Sequence, residues 1–204
     1  MIRISKEHFD SIAKLLTDCF MEDQLVIKQT KGIENPKEFL HNLFFLQIHV
    51  FHKTCEMYCL DDNLNSVIIG YEKNKYKPLK VLILSILSQF KLSRLLKSSD
   101  FKLYSQNLKD TSKSINLKWQ KEFIKGNYYR LEVIAIAENN RKKGIFRALI
   151  TPIIDYCKEI SIPIVLETTT PENVPIYQHF GFELVKTIPE KGTGFCQYCF
   201  IKQP

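Results

Sequence analysis

The stretch from Tyr128 to Thr169 constrains the fold more than any other. An apolar run, Tyr128 to Ala137, ends in a polar turn at Asn139 and Asn140; a helical pattern, Lys143 to Ile160, follows, and then a second apolar run, Pro163 to Thr169. A strand, a crossover helix and a strand in that order make the two strands parallel neighbours, joined by a right-handed connection. The chain is therefore α/β. The remaining strand signals are of hairpin type. Cys55 to Leu60 and Ser66 to Glu72 flank Asp61, Asp62 and Asn63, and a final hairpin turns at Gly192 and Gly194. The expected architecture is a central mixed, mostly antiparallel sheet flanked by helices.

The first third supplies an edge strand at Met1 to Ser5, then a helix on which Phe9, Ile12, Leu15, Leu16 and Phe20 recur at helical spacing. Asn35, Pro36 and Glu38 form a helix-start signal: a side-chain cap, a proline at the first position and an acid at the third. That helix is expected to run to about His52. Lys77 to Lys125 breaks the rhythm with two helical patterns, Leu79 to Leu96 and Phe101 to Phe123, joined at Ser98, Ser99 and Asp100. It reads as a helical insertion between the third and fourth strands, within one domain spanning residues 1–204. After Thr169 a short helix is expected from Pro171 to His179.

Composition matters mainly for what it excludes. With 45% hydrophobic residues and only 7 glycines and 8 prolines, the chain can bury a full core and is neither collagen-like nor disordered. Its first ten residues carry His, Glu and Asp where a secretory signal needs an apolar run, so a cytoplasmic location is expected. The most apolar stretch, Val81 to Leu87, falls far short of the about 20 residues that a bilayer span requires, and no membrane partner is expected. Cys55 with Cys59 and Cys196 with Cys199 raise the possibility of zinc. On strands, however, the first pair would lie roughly 13 Å apart and the second would point to opposite faces, so no metal is expected. The net charge of +7 admits nucleic acid, an acidic surface or an anionic cofactor, and does not choose among them.

The turn after Ala137 is the most informative segment. A helix N-terminus gathers unpaired amides and the positive end of the helix dipole. Arg141, Lys142, Lys143 and Arg147 add cations around those donors, and Gly144 lets the backbone approach a phosphate closely. An ordinary solvated helix start fits these residues equally well, and the residues further along the chain decide between the two. Arg141 and Gly144 stand at the first and fourth positions of Q/R-x-x-G-x-G/A after a strand; Asn173, Tyr177, Gly181 and Phe182 come later as a tyrosine and a G-F pair. Over the last third of the chain this pattern resembles the GNAT superfamily of acetyl-CoA-dependent N-acetyltransferases. One position departs from it: the sixth is normally small and here is Phe146, which implies a ring turned into the core or against the adenine side of the cofactor.

The resemblance implies acetyl-CoA as acyl donor and an amine as acceptor. It assigns cofactor contacts to the strand backbone at Ile134, Ala135 and Ile136, to Arg141, Lys142, Lys143, Gly144, Ile145, Phe146 and Arg147 in the turn, and to Asn173. An amide in the same strand would polarise the thioester carbonyl. Tyr177 is the implied proton donor to the departing thiolate; packing alone is its other reading. Glu132, two residues before Ile134 and so on the same strand face, is the candidate base that takes the proton of the amine. It could equally pair with a cation of the insertion or bind the acceptor. Glu167 reads as a structural acceptor near the site. The five histidines are scattered and carry no metal signal.

The insertion is expected to wall the acceptor pocket. Its first helix has apolar residues in excess of one stripe, which implies burial in the core, a lid or an oligomer contact such as a homodimer. Two non-enzymatic readings stand beside the acetyltransferase: an inactive acyl-CoA sensor, to which Phe146 lends weight, and a nucleic-acid binder using the insertion's lysines. The second lacks interleaved aromatics, and no nucleic-acid partner is expected.

Overall fold

The computed structural model describes residues 1–204. Its seven strands are β1 (Ile2–Arg3), β2 (Glu56–Cys59), β3 (Ser66–Glu72), β4 (Tyr129–Ile136), β5 (Ile164–Thr168), β6 (Glu183–Ile188) and β7 (Gln197–Lys202). They form one sheet in the order β1-β2-β3-β4-β5-β7-β6, antiparallel everywhere except between β4 and β5. The helices are α1 (Phe9–Phe20), α2 (Gln24–Gln29), α3 (Pro36–Thr54), α4 (Pro78–Leu95), α5 (Ser98–Thr111), α6 (Ile145–Glu159) and α7 (Val174–His179). The expected mixed, mostly antiparallel sheet with helices between the third and fourth strands is what the chain adopts.

Alternation along β3 explains the two main core layers. Val67 and Ile69 face one side, where they meet Phe9, Ile12 and Leu16 of α1 and Ile48 of α3. Ile68 faces the other side, with Leu149, Ile150 and Ile153 of α6. The start of α3 forms as its residues dictate: the Asn35 side chain accepts from the Glu38 amide and donates to its carboxylate, with Pro36 at the first position.

A β-bulge interrupts β4. Ile69 pairs with Val133 and Gly70 with Leu131, which leaves Glu132 as the extra residue. The strands come so close here that a Cβ on Gly70 would lie 2.7 Å from the Arg130 carbonyl oxygen and 2.5 Å from the Tyr129 ring. The bulge also resets the alternation. Leu131 and Ile134 both join the α6 side, and Val133 and Ala135 join the α1 side. The expectation that Glu132 shares a face with Ile134 is thereby corrected.

The insertion rules out one of the readings open for its first helix, burial in the core, and shortens its second helix. Only Leu92 of α4 is buried; the helix packs one side on α3 and α5 and leaves the rest uncovered. The second expected helix ends at Thr111, because the chain beyond it is drawn onto the loop between β6 and β7. Buried Ser114 accepts from Thr193 Oγ1 (2.8 Å) and the Lys191 amide (3.0 Å), and the Asn116 amide donates to Gln197 Oε1 (2.8 Å). These bonds replace helical ones. The short helix α2 had no periodic signal; Asp23 starts it by accepting from the amides of Leu25 and Val26.

Candidate active site

The two parallel strands separate almost as soon as they meet. Tyr129 pairs with Ile164 and Arg130 with Val165, and the ladder ends there. Beyond it β4 stays with β3 up to Ile136, while β5 stays with β7 up to Thr168. The bulge at Glu132 lies next to the point of parting, and a bulge bends and twists its strand. The result is an open edge on β4. The Ala137 amide bonds the Asn65 carbonyl on the β3 side (2.8 Å), so alternation sends the amides and carbonyls of Ile134 and Ile136 to the open edge. Ala135 pairs back with Val67. Its main chain is therefore committed to the sheet, which corrects the expectation that all three residues offer backbone groups to a ligand.

The open edge leads into the turn before α6. Lys142 and Gly144 both adopt left-handed backbone, at φ 61° and 78°. The amides of residues 142–147 donate to no group of the chain. A Cβ on Gly144 would meet nothing within 4 Å, so the space above these amides is open. Successive free N–H groups at a helix start form a concavity suited to a phosphate. Arg141 turns back, its Nε donating to the Ile136 carbonyl (3.2 Å), and Arg147 lies over the Phe180 ring at 5.2 Å.

Aromatic rings close the other side. Phe146 packs edge-on against Phe180, with centroids 4.8 Å apart, and lies 5.9 Å from Tyr177. Its ring is thus turned onto Tyr177 of α7 and onto Phe180 just beyond it. Tyr177 is also held by Phe182 and Phe200, and its hydroxyl makes no hydrogen bond within the chain. Burial pushes the phenol up to about 12, so it holds its proton at neutral pH. Asn173 donates to Thr168 Oγ1 (3.2 Å) and does not cap α7 with its side chain.

These residues line one cleft of about 1970 Å³: Ile134, Ala135, Ile136, Arg141, Lys142, Gly144, Ile145, Phe146, Arg147, Asn173 and Tyr177. Lys143 and Glu132 do not line it. Glu132 accepts from Arg130 Nε (2.7 Å), and the same guanidinium bonds Glu167 on β5. Burial works against the charge on Arg130, but Glu167 and Glu132 outweigh it and hold its proton above the ordinary arginine range. The cation that pairs with Glu132 thus comes from β4 itself and not from the insertion. Arg130 buckles β4 to β5 at the root of their separation, and Trp119 Nε1 supports the buckle by donating to Glu167 (3.0 Å).

No residue between 66 and 133 lines the cleft, so the insertion does not wall it, contrary to expectation. The chain's two ends supply the walls instead. Residues of α1 and the segment before α2 face residues 169–173 and the loop between β6 and β7. Asp23 accepts from Thr170 Oγ1 (3.0 Å), and Cys19 Sγ lies 3.4 Å from the Ile136 carbonyl. Sequence reasoning missed Cys19, Asp23 and Asn65; the helix-capping Asp23 was the only local signal available.

No family model matches the chain. A stretch of 58 residues is 38% identical to an uncharacterized N-acetyltransferase of Schizosaccharomyces pombe, and that match covers 28% of this chain and 24% of the yeast protein. The chain thus aligns with about a quarter of the length of that curated relative. Among solved structures, one described as histone acetyltransferase HPA2 and related acetyltransferase from Corynebacterium glutamicum superposes with a TM-score of 0.67 at 18% identity, covering 100% of this chain and 94% of its own. Arylalkylamine N-acetyltransferase 2 from Aedes aegypti superposes with a TM-score of 0.52 at 14% identity, over 99% and 97%. At such identities the likeness speaks for architecture, and the sheet parted between β4 and β5 agrees with it: the chain has the fold of the GNAT acetyltransferases.

Proposed function

We propose that the chain transfers an acetyl group from acetyl-CoA to an amine of a small molecule or peptide, by direct attack of the amine on the thioester. One observation carries this reading: the open edge at Ile134 and Ile136 runs into the unpaired amides of residues 142–147. A ligand with an extended amide-bearing arm and a diphosphate matches both features. The open edge pairs with the arm as a strand would, and the free amides with Arg141, Lys142 and Arg147 hold the phosphates. Acetyl-CoA supplies the activated acetyl group.

The chain's own residues supply the rest. Tyr177 holds a proton on Oη, with no partner in the chain, where a departing thiolate can take it. Phe146 and Phe180 keep water from that end of the cleft. Asp18, Glu22, Asp23 and Glu190 also line the cleft, and carboxylates suit an acceptor that arrives as an ammonium ion. Its first proton leaves to solvent; the second, freed as the N–C bond forms and the C–S bond breaks, restores the proton that Tyr177 gives up. The amine acceptors named for relatives of this fold, such as arylalkylamines, belong to the same chemical class. Glu132 acts through Arg130 as a positioning residue.

Calorimetric titration with acetyl-CoA, then a free-thiol assay across amines, aminoglycosides and peptide N-termini, tests the reading. Saturable binding and one thiol released per acetylated amine are expected. No binding at millimolar cofactor removes the proposal, and binding without turnover on any amine leaves an acyl-CoA sensor.

A further inference from the structure

We infer that α4 docks the protein in the plane of an anionic lipid surface. The helix presents Leu79, Leu82, Ile83, Ile86, Leu87 and Phe90 at steps of three and four residues, so they form one continuous stripe. Each is more than half exposed, from 51% at Ile83 and Leu87 to 70% at Leu79. Single exposed apolar residues are ordinary, but a continuous stripe of large ones along a helix about 27 Å long marks a contact surface. Nothing in the fold covers it, because α3 and α5 occupy only the side that buries Leu92.

Charge identifies the occupant. The charged residues of α4 are Lys80, Lys91 and Arg94, all exposed, and the helix contains no Asp or Glu. A second copy is disfavoured. Antiparallel pairing about Ile86 sets Lys80 of one helix opposite Lys91 and Arg94 of the other, with no acid on the helix between them. An acidic surface satisfies the same cations, and the chain's net charge of +7 attracts it at longer range. The polar side of the helix carries these cations with neutral Ser85, Ser88, Gln89 and Ser93 and no acid, so whatever covers the stripe must itself be rich in negative charge, as an anionic lipid surface is. The Arg94 guanidinium lies 4.2 Å from the Phe90 ring centroid, at the edge of the stripe. That arrangement keeps a charge at headgroup level above a ring placed among acyl chains. No helix is long and apolar enough to cross a membrane, so α4 lies in the interface.

Flotation of the full chain with vesicles of phosphatidylcholine alone, or with about a third phosphatidylserine, tests the inference. Co-flotation with the anionic vesicles is expected, with at least about tenfold weaker partition on neutral vesicles or in high salt. Ile86→Asp, at an exposed site outside the cleft, should melt as the parent does, bind acetyl-CoA equally and lose at least about tenfold in partition. Lys91→Glu with Arg94→Glu should weaken partition on anionic vesicles only. Absence of flotation with anionic vesicles overturns the inference, as does Ile86→Asp floating like the parent. A concentration-dependent dimer that Ile86→Asp dissolves, without vesicle binding, assigns the stripe to a second copy instead.

Discussion

Tyr177 has its ring fixed on three sides by Phe146, Phe182 and Phe200 and its hydroxyl left without a partner. Packing alone explains the ring, whereas the free hydroxyl is what a proton donor needs. Tyr177→Phe removes the hydroxyl and keeps the ring, so turnover should fall by about a hundredfold. Acetyl-CoA affinity, measured by calorimetry, should stay within about twofold, since a phenyl ring retains the packing. Turnover equal to the parent's would remove Tyr177 from the chemistry. Residue identities were legible at this scale, and side-chain placement was not. The sequence shows Phe146 where a small residue is usual, but the ring's direction depends on Phe180, just past the end of α7. The resemblance assigns Asn173 to the cofactor, and no sequence pattern marks the bond that its side chain makes to Thr168 within the chain.

At the level of elements, the buckle formed by Arg130 controls how β4 and β5 part. Arg130 is 3% exposed and lies between the carboxylates of Glu132 and Glu167. Removing a buried cation leaves its partners uncompensated, so Arg130→Met should cost about 3–5 kcal/mol, read from denaturant midpoints. Glu132→Gln keeps a hydrogen-bond acceptor for Arg130 and should be far milder. With Glu132 in a positioning role, that variant should keep the parent's pH profile of kcat/KM. Loss of the acidic limb in that profile would make Glu132 the base after all. The order of strands and helices was readable because apolar periodicity records it. The bulge was not, because one extra residue in an apolar strand leaves no mark on composition. It reversed the face assigned to Glu132. The apolar pattern of α4 left burial, a lid and an oligomer contact open for a related reason: periodicity counts apolar residues but not the neighbours available to cover them.

Across the whole molecule, the cleft joins segments from both ends of the chain, and no local pattern announces such pairings as Asp23 with Thr170 or Ser114 with Thr193. The core that holds them together also contains thiols and phenols that the sequence alone could not mark as shielded. Burial pushes Cys55, Cys157 and Cys199 from 9.0 up to about 12, and Tyr76, Tyr104 and Tyr177 from 10.0 up to about 12. Each folded value lies above the unfolded one, so between the two the folded chain binds more protons than the unfolded chain. Stability must then fall as pH rises across that window: it is complete below the unfolded value and lost as pH passes the folded one. Thermal midpoints should be level up to about pH 8, decline above about pH 9 as the thiols of the unfolded chain ionise, and drop more steeply beyond about pH 10 as its phenols do the same. The part of the phenolate absorbance that Tyr104→Phe removes should rise together with unfolding and not before it, because that buried phenol ionises only when exposed. Midpoints that hold steady or rise towards pH 11, or a Tyr104 phenolate that appears while the fold is intact, would show that these groups are open to solvent and that the core is looser than its packing implies.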